Sequence, residues 1–214
     1  MLRLYTYFRS SAAYRVRIAL NLKGLSYEAV PIHLLRAGGE QHSREHAARS
    51  PAELIPLLET EHITLGQSLA IIEYLEQLQP LPALLPDDPV GRARVRALAL
   101  SVACDIHPLS NLRVLQYLKA LGIDPAGRRE WSQHWILTGL QAIERQLMKD
   151  GTSGLFCFGD QPTLADCCVV PQMFNARRLE CPLDTLPTLV RIDAQCLRLP
   201  AFQRAAPEAQ PDAE

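Results

Sequence analysis

The chain lacks an excess of charge of either sign, since 22 Lys and Arg residues stand against 23 Asp and Glu residues over 214 positions. Nucleic-acid-binding proteins carry a basic surplus, so we expect no nucleic-acid partner. No run approaches the roughly 18 consecutive apolar residues of a membrane-spanning helix, and the N-terminus MLRLYTYFRSS has no apolar signal-peptide core. We therefore predict a cytoplasmic protein with no membrane segment.

Metal-binding spacings are also missing from the sequence. The six cysteines form no CxxC pair and stand at no Cys/His separation typical of zinc sites, so we predict no metal. In a reducing cytoplasm such cysteines act as small apolar core residues, and no disulfide is needed. Hydrophobic residues make up 48% of the chain, which is sufficient for a packed globular core.

Strand-like and helix-like segments alternate over the first part of the chain in the order βαβαββα. We expect strands at 2–7, 27–32, 55–58 and 63–65, and helices at 12–22, 42–49 and 68–78. Beyond Leu85 the pattern is helical, with helices expected at 90–121 (bent near Pro108), 127–149, 163–178 and 186–197. The tail, 205–214, has no large apolar side chain and is expected to be loosely held.

A proline-rich stretch, QPLPALLPDDP, separates the two patterns. Proline cannot continue a helix, so this stretch predicts a stiff extended linker. The sequence therefore predicts two domains, an α/β domain over residues 1–82 and an all-α domain over residues 83–214.

A serine pair stands where the first predicted strand gives way to the first predicted helix. Ser10 and Ser11 fall where a helix leaves its first N–H groups without intrahelical partners. A thiolate bound there would gain hydrogen bonds and the favourable end of the helix dipole, and both lower a thiol pKa from about 8.5. A plain serine N-cap is the alternative interpretation.

Gln67 and Ser68 stand at a second predicted helix start, where a hydroxyl and an amide N–H either hold a carboxylate or simply cap the helix. Between the two helix starts, Ile55 precedes Pro56. A cis peptide bond there would turn the preceding backbone outward to pair with an extended peptide. A thiol site, a pairing edge and a carboxylate site together describe a pocket for a small thiol peptide.

Six segments of the chain are distinctive: FRSSAAYRVRIALNLKG, QSLAIIEYLE, LLPDDP, PTLADCCVVPQ, NARR and RAAPEAQPD. In these segments the chain resembles zeta-class glutathione transferases, a class that includes maleylacetoacetate isomerases and glutathione-dependent maleylpyruvate isomerases. The resemblance implies a homodimer with glutathione as cofactor. It also implies an α/β thioredoxin-like N-terminal domain that binds glutathione, and an all-α C-terminal domain that completes the substrate site.

By this resemblance, Ser10 and Ser11 stabilise the glutathione thiolate and are the catalytic residues. The other implied glutathione contacts are Gln41, Ile55, Gln67, Ser68, His107 and Asn111. The last two lie in CDIHPLSNL, which is similar to the maleylpyruvate isomerases, although a histidine before proline is equally typical of a surface position.

The implied reaction is cis–trans isomerisation of a small maleyl diacid, maleylpyruvate or maleylacetoacetate, to its fumaryl isomer in the catabolism of aromatic compounds. Reversible thiolate addition permits the rotation, while the protein holds the carboxylates and the developing negative charge. Arginine suits both tasks, so Arg9 and Arg178 are the predicted substrate-binding residues. Arg15 and Arg17 receive no catalytic role, since solvated or interdomain ion pairs explain them as well.

Two positions depart from the zeta-class pattern. Ala12 replaces the cysteine that usually follows the serine pair, which excludes covalent chemistry at that position but not isomerisation by the cofactor's sulfur. Leu54 stands where a polar residue often contacts glutathione. Two alternative functions stay open: a glutathione transferase that conjugates or dehalogenates small electrophiles, and a non-catalytic interaction protein with the same fold.

Overall fold

The structure, a computed structural model, describes residues 1–214. These residues pack into two compact units, the first formed by Met1–Leu84 with Arg198–Glu214 and the second by Leu85–Leu197. The helical domain predicted from the sequence includes Arg198–Glu214, whereas the structure packs this C-terminal segment with the first unit, because the last helix lies against the first one. The division of the chain into domains at residue 82 stays a prediction.

A four-stranded sheet lies in the first unit. Its strands are β1 (Arg3–Thr6), β2 (Glu28–Pro31), β3 (Leu57–Glu59) and β4 (Thr64–Gly66), in the order β2–β1–β3–β4. Strand β1 runs parallel to β2 and antiparallel to β3, and β3 pairs antiparallel with β4. A parallel βαβ unit followed by a hairpin is the thioredoxin-like arrangement, so this part of the predicted fold class is confirmed.

The helices are α1 (Ser11–Leu22), α2 (Arg44–Arg49), α3 (Ser68–Leu78), α4 (Pro89–Leu100), α5 (Leu112–Ala120), α6 (Pro125–Asp150), α7 (Leu164–Arg178), α8 (Pro187–Cys196) and α9 (Pro200–Ala205). In the first unit, α1 packs against both α3 and α9. Its side chains from Ala13 to Leu20 are all buried, so α1 forms the centre of that unit's core. None of the helices combines the length and the apolar composition that crossing a membrane requires.

In the second unit, α7 packs against both α4 and α8. Helix α7 begins at the capping box predicted from the sequence, because Thr163 donates from its N–H and its Oγ1 to Asp166 Oδ2, each at 2.8 Å. Asp166 Oδ1 also accepts from Cys157 N–H at 2.8 Å and so ties the preceding loop to the helix. The all-α class predicted for this part of the chain is confirmed.

The continuous helix predicted over 90–121 is wrong. Helix α4 ends at Leu100, and a π-helical stretch (Ser101–Ile106) and a 3₁₀ turn (His107–Ser110) precede α5. Pro108 has no N–H to donate to the helical ladder. Asn111 then caps α5, since its Oδ1 accepts from Arg113 N–H at 3.2 Å.

The tail expected to be loosely held is bound to the first unit. Gln210 Nε2 donates to the carbonyls of Arg204 and Ala206, both at 2.9 Å, and Asp212 Oδ2 accepts from Phe8 N–H at 2.9 Å. Polar groups thus hold a segment that has no large apolar side chain. Helix α9 was not predicted, because its six residues are too few to show a helical period.

The beginning of the proline-rich linker is anchored to the first unit as well. Lys23, whose side chain is fully buried, forms an ion pair with Glu76. Its Nζ also donates to the carbonyls of Pro80 and Pro82, at 3.3 and 2.7 Å. The linker is therefore stiffened by these contacts in addition to its prolines.

Candidate functional site

The first turn of α1 holds the predicted serine pair. Ser10 is the N-cap residue, and its Oγ accepts from Ala13 N–H at 3.2 Å. Ser11 is the first helical residue, is 6% exposed, and makes no side-chain hydrogen bond within the chain. The N–H groups of Ser11 and Ala12 have no acceptor further back in the helix. One hydroxyl and two amide donors are therefore available to an anion at the positive end of the helix dipole.

Arg15 connects α1 with the second predicted helix start. Its side chain is 2% exposed, and its Nη1 donates to Ser68 Oγ at 3.1 Å. Ser68 is the first residue of α3. Because the hydroxyl oxygen accepts from Arg15, its own proton stays available for donation to a carboxylate. The buried guanidinium also places a positive charge beside that hydroxyl.

Gln67, the N-cap residue of α3, has an unusual backbone. Its φ of 67° and ψ of 110° are rarely adopted by residues other than glycine, and its side chain does not cap the helix. Such strain costs on the order of 1–3 kcal/mol and is concentrated at ligand sites. The strained backbone marks the start of α3 as a candidate ligand contact.

Ile55 lies just before β3, outside the sheet, and its peptide bond to Pro56 is cis. Neither its N–H nor its C=O makes a hydrogen bond within the chain. The preceding carbonyl, of Leu54, accepts from Ser50 Oγ at 3.1 Å and from His46 Nε2 at 3.2 Å. Helix α2 and its C-cap therefore fix Leu54 and leave the peptide groups of Ile55 available to an extended ligand.

Gln41 lies in a 3₁₀ turn, Glu40–His42, and is 5% exposed. Its Nε2 lies 3.0 Å from Nε2 of His42, and Nδ1 of His42 pairs with the Glu53 carboxylate. The buried Oε1 of Gln41 has no donor in the chain. Buried amide oxygens are almost always paired, so this acceptor fits a ligand that donates an N–H.

Arg9 precedes the serine pair and is exposed. The carbon of its guanidinium lies 5.1 Å from the centre of the Phe8 ring and 6.0 Å from that of Tyr7, and its Nη2 donates to Tyr7 Oη at 3.3 Å. A cation over an aromatic ring contributes about 0.5–1 kcal/mol at an exposed position. The two rings therefore hold the guanidinium at the surface, beside the start of α1.

The structure divides the predicted site residues between the two units. The first unit contains Arg9, Ser10, Ser11, Gln41, Ile55, Gln67 and Ser68. The other three belong to the second unit. There, His107 begins the 3₁₀ turn before α5, Asn111 caps α5, and Arg178 is the exposed last residue of α7.

Sequence reasoning missed Arg15 and Arg17 as parts of this region. Solvated or interdomain ion pairs were considered for both, whereas the structure buries them inside the first unit at 2% and 0% exposure. A signal was present, because AAYRVRIALNL is otherwise almost wholly apolar. A helix that is apolar on every side is buried in the core, and any charged residues that it carries are buried with it.

The six cysteines all belong to the second unit. Five of them are buried, and Cys104 is exposed. Burial raises the pKa of the Cys157, Cys181 and Cys196 thiols. The structure brings together no three His, Cys, Asp or Glu side chains that could hold a metal ion. The first unit therefore supplies no thiol of its own to the start of α1.

The chain is similar in sequence to known proteins of one family. The profile of the glutathione S-transferase N-terminal domain matches residues 4–83, and that of the glutathione S-transferase C-terminal domain matches residues 128–197. A probable maleylacetoacetate isomerase of Vibrio cholerae is 51% identical to this chain, over 98% of this chain and 97% of that protein.

Solved structures point to the same family. The holo structure of a maleylpyruvate isomerase, described as a bacterial glutathione S-transferase in the zeta class, is similar with a TM-score of 0.96 and 48% identity, over 99% of this chain and 100% of that one. The maleylacetoacetate isomerase of Anaeromyxobacter dehalogenans 2CP-1, with dicarboxyethyl glutathione and citrate in its active site, has a TM-score of 0.88 and 45% identity, over 100% and 98% of the two chains. The chain therefore belongs to the glutathione S-transferase family, in its zeta class.

Proposed function

We propose that this protein is a glutathione-dependent cis–trans isomerase of maleyl diacids, which converts maleylpyruvate or maleylacetoacetate to the fumaryl isomer. The main supporting observation is the nearly buried Ser11 hydroxyl, which has no partner in the chain and lies two residues from the exposed guanidinium of Arg9. A thiolate site beside a carboxylate site is what thiol-catalysed isomerisation of a diacid requires. Relatives similar over their full length, with both isomerase names, support the same reaction.

The polar groups of the first unit fit glutathione. The unpaired Oε1 of Gln41 accepts a ligand N–H, and the peptide groups of Ile55 pair with the cysteinyl backbone. Gln67 and Ser68 hold the γ-glutamyl end. The buried Arg15 supports this assignment, because its charge lies against Ser68, where that end brings a carboxylate. His107 and Asn111 are further proposed contacts, on the family resemblance alone.

Bound glutathione supplies a thiolate, which adds reversibly to the double bond of the diacid and so permits rotation about it. Ser11 keeps the sulfur ionised by donating a hydrogen bond to it, and Ala12 N–H adds a second donor at the positive end of α1. Ser10 holds the helix start in place through its bond to Ala13. Arg9 binds a substrate carboxylate, in the ground state and in the transition state alike.

Arg9→Ala and Arg178→Ala are each expected to lower kcat/KM for the diacid about tenfold, since each removes a charged hydrogen-bond donor that binds substrate. Glutathione affinity should stay within about twofold of wild type, because neither residue is proposed to contact the cofactor. Steady-state kinetics with varied diacid, and equilibrium binding of glutathione, give both quantities.

Arg44→Ala is the matched control for these variants. Arg44 is an exposed arginine at the first position of α2, with no ion pair in the chain, so its loss should change neither quantity. Unchanged turnover in both Arg9→Ala and Arg178→Ala would remove these arginines from the substrate site.

The proposed function is tested by assaying maleylpyruvate and maleylacetoacetate in parallel, with and without glutathione. We expect turnover to the fumaryl isomer of at least one substrate, complete dependence on glutathione, and recovery of all the glutathione after many turnovers. Consumption of one glutathione per product would instead indicate conjugation. Failure to bind immobilised glutathione would indicate a non-catalytic member of the family.

We also propose that the protein acts as a cytoplasmic homodimer, on the resemblance to its family. Light scattering coupled to size-exclusion chromatography is expected to give twice the mass of 23.9 kDa. A monomer at micromolar concentration would contradict the proposal.

A further inference from the structure

Arg17, which the proposed mechanism does not use, holds the turn between β1 and α1 from inside the first unit. Its Nη1 donates to Thr6 Oγ1 at 3.0 Å and to Tyr7 O at 3.3 Å, and its Nη2 donates to Phe8 O at 2.9 Å. Its Nε donates to the carbonyl of Ala205, at the end of α9, at 3.0 Å. Because the side chain is 0% exposed, these charged hydrogen bonds do not compete with water.

Asp212, in the C-terminal segment, binds the same turn. Its Oδ2 accepts from Phe8 N–H at 2.9 Å, while Arg17 donates to Phe8 O. Both backbone polar groups of Phe8 are therefore bound to charged side chains. Burial lowers the pKa of the Arg17 guanidinium to about 10, and the Asp212 carboxylate is among the charges that oppose this shift. The two side chains thus bind the N–H and the C=O of the same residue.

Phe8 and Tyr7 in turn support Arg9. The two rings are 6% and 4% exposed and pack edge to face, with centroids 4.7 Å apart. Arg9 lies on them through the contacts described above and has no ion pair in the chain. The direction of its guanidinium therefore depends on where the two rings, and hence the backbone of Phe8, are held.

The C-terminal segment also reaches the Tyr7 ring. Glu214 Oε1 lies 3.2 Å from Nε2 of His33, and the His33 ring packs edge to face with Tyr7 at 5.0 Å. Nδ1 of His33 accepts from the N–H groups of Leu35 and Arg36, so the ring proton lies on Nε2, which makes no hydrogen bond in the chain. The C-terminal segment therefore binds Phe8 through Asp212 and lies close to His33, the neighbour of Tyr7, through Glu214.

We propose that Asp212 is a positioning residue for the diacid: by binding Phe8 N–H together with Arg17 at Phe8 O, it holds Arg9 in the orientation that binds a substrate carboxylate. This inference rests on the proposed function, since it takes Arg9 as a carboxylate ligand. Ser10 N–H donates to Tyr7 O at 3.0 Å and so belongs to the turn, but Ser11 and Ala12 are the first residues of α1 and make no hydrogen bond with Asp212. We therefore expect the thiolate site to depend little on Asp212.

The test is Asp212→Ala, with Asp212→Asn as the conservative variant and Glu208→Ala as a control in the same segment. We expect Asp212→Ala to raise the KM for the diacid about fivefold to tenfold and to leave kcat within about twofold, because Arg9 binds ground state and transition state alike. The KM for glutathione and the pKa of the bound thiol should not change. Asp212→Asn keeps an acceptor oxygen and should recover most of the loss, and Glu208→Ala should behave as wild type.

A double-mutant cycle separates positioning from a general loss of stability. In an Arg9→Ala background, Asp212→Ala should have almost no further effect on the KM for the diacid, because the residue through which it acts is gone. Additive effects would overturn the proposal, as would an equal rise in the KM for glutathione. If Asp212→Ala does not fold, Asp212→Asn takes its place in the cycle, with the same expected coupling to Arg9.

Failure of this inference and failure of the proposed function are distinguished by measuring how malonate binds to the glutathione-loaded protein. Malonate is a diacid without a carbon–carbon double bond, so it binds without being isomerised. If neither maleyl diacid is isomerised but malonate binding weakens in Arg9→Ala and in Asp212→Ala alike, the positioning role stands and the reaction is reassigned. If the diacids are isomerised and malonate binding is unaffected by Asp212→Ala, the positioning role is wrong and the reaction stands.

Discussion

Replacing Ser11 with alanine is expected to raise the pKa of the bound glutathione thiol by about 1 to 2, because a hydrogen bond to a charged acceptor contributes about 1.5–3 kcal/mol and a pKa difference of 1 corresponds to about 1.4 kcal/mol. Turnover at pH 7 should fall together with the fraction of thiolate, by at most the factor of about ten to a hundred to which the pKa shift corresponds. It should recover as the pH rises towards the new pKa. Ultraviolet titration of the thiolate and the pH–rate profile measure the two effects independently.

Ser10→Ala is the matched control, because it removes the neighbouring hydroxyl, which caps the helix. Ser10 Oγ accepts from Ala13 N–H, so its loss should lower the free energy of unfolding by about 1 kcal/mol. It should shift the pKa of the bound thiol less than Ser11→Ala does. Ser11→Ala should change stability by less than about 0.5 kcal/mol. An unshifted thiol pKa in Ser11→Ala would transfer thiolate stabilisation to Ser10 or to the backbone N–H groups alone.

Asp166→Ala is expected to lower the free energy of unfolding by about 3–5 kcal/mol. The carboxylate is 0% exposed and accepts four hydrogen bonds, two from Thr163, one from Cys157 N–H and a long one from the Cys196 thiol at 3.9 Å. Its removal leaves those buried donors without an acceptor, and each unsatisfied group costs about 1–3 kcal/mol. Urea unfolding followed by circular dichroism measures the loss.

Asp160→Ala provides the comparison for this variant. Asp160 lies in the loop before α7 and accepts one exposed hydrogen bond, from Leu155 N–H at 2.9 Å. Water replaces that bond at little cost, so the expected loss is below about 1 kcal/mol. Equal losses in the two variants would show that the capping box contributes no more than an ordinary loop contact.

The pH dependence of stability gives a second signature of Asp166. Burial raises the pKa of its carboxyl above the ordinary value for an aspartate, so the native protein takes up this proton at a higher pH than the unfolded chain. Between those two pKa values the native state holds more protons, and the contribution of Asp166 to stability falls as the pH rises. In Asp166→Asn, which has no carboxyl at this position, the free energy of unfolding should not show this decrease with rising pH.

Local signals predicted the parts of the site that lie at helix starts. Ser10 and Thr163 are recognisable because capping depends on neighbours within three residues, and the structure shows both helices beginning there. The order of strands and helices also followed from local periodicity. The break between α4 and α5 was missed, because a π-helical stretch retains helical composition while it changes the hydrogen-bond register.

Contacts between residues distant in sequence could not be predicted in the same way. Arg15 is hydrogen-bonded to Ser68 only because α1 packs on α3. Asp212 is hydrogen-bonded to Phe8 only because the C-terminal segment returns to the first unit. The positive φ of Gln67 is likewise imposed by its surroundings, since glutamine has no intrinsic preference for it. The proposed cofactor contacts followed from family resemblance, but the residues that hold those side chains in place could be identified only from the fold.

The burial of the cysteines has a practical consequence for measurement. Burial raises the pKa of the Cys157, Cys181 and Cys196 thiols, so these sulfur atoms ionise at a higher pH than a free thiol and should add little thiolate absorbance while a bound cofactor thiol titrates. Cys104 is the one exposed thiol, and Cys104→Ser removes it. Since alanine stands at position 12, no sulfur of the chain follows the serine pair. In the Cys104→Ser protein, an alkylating reagent or an absorbance titration would report on glutathione against an almost blank background.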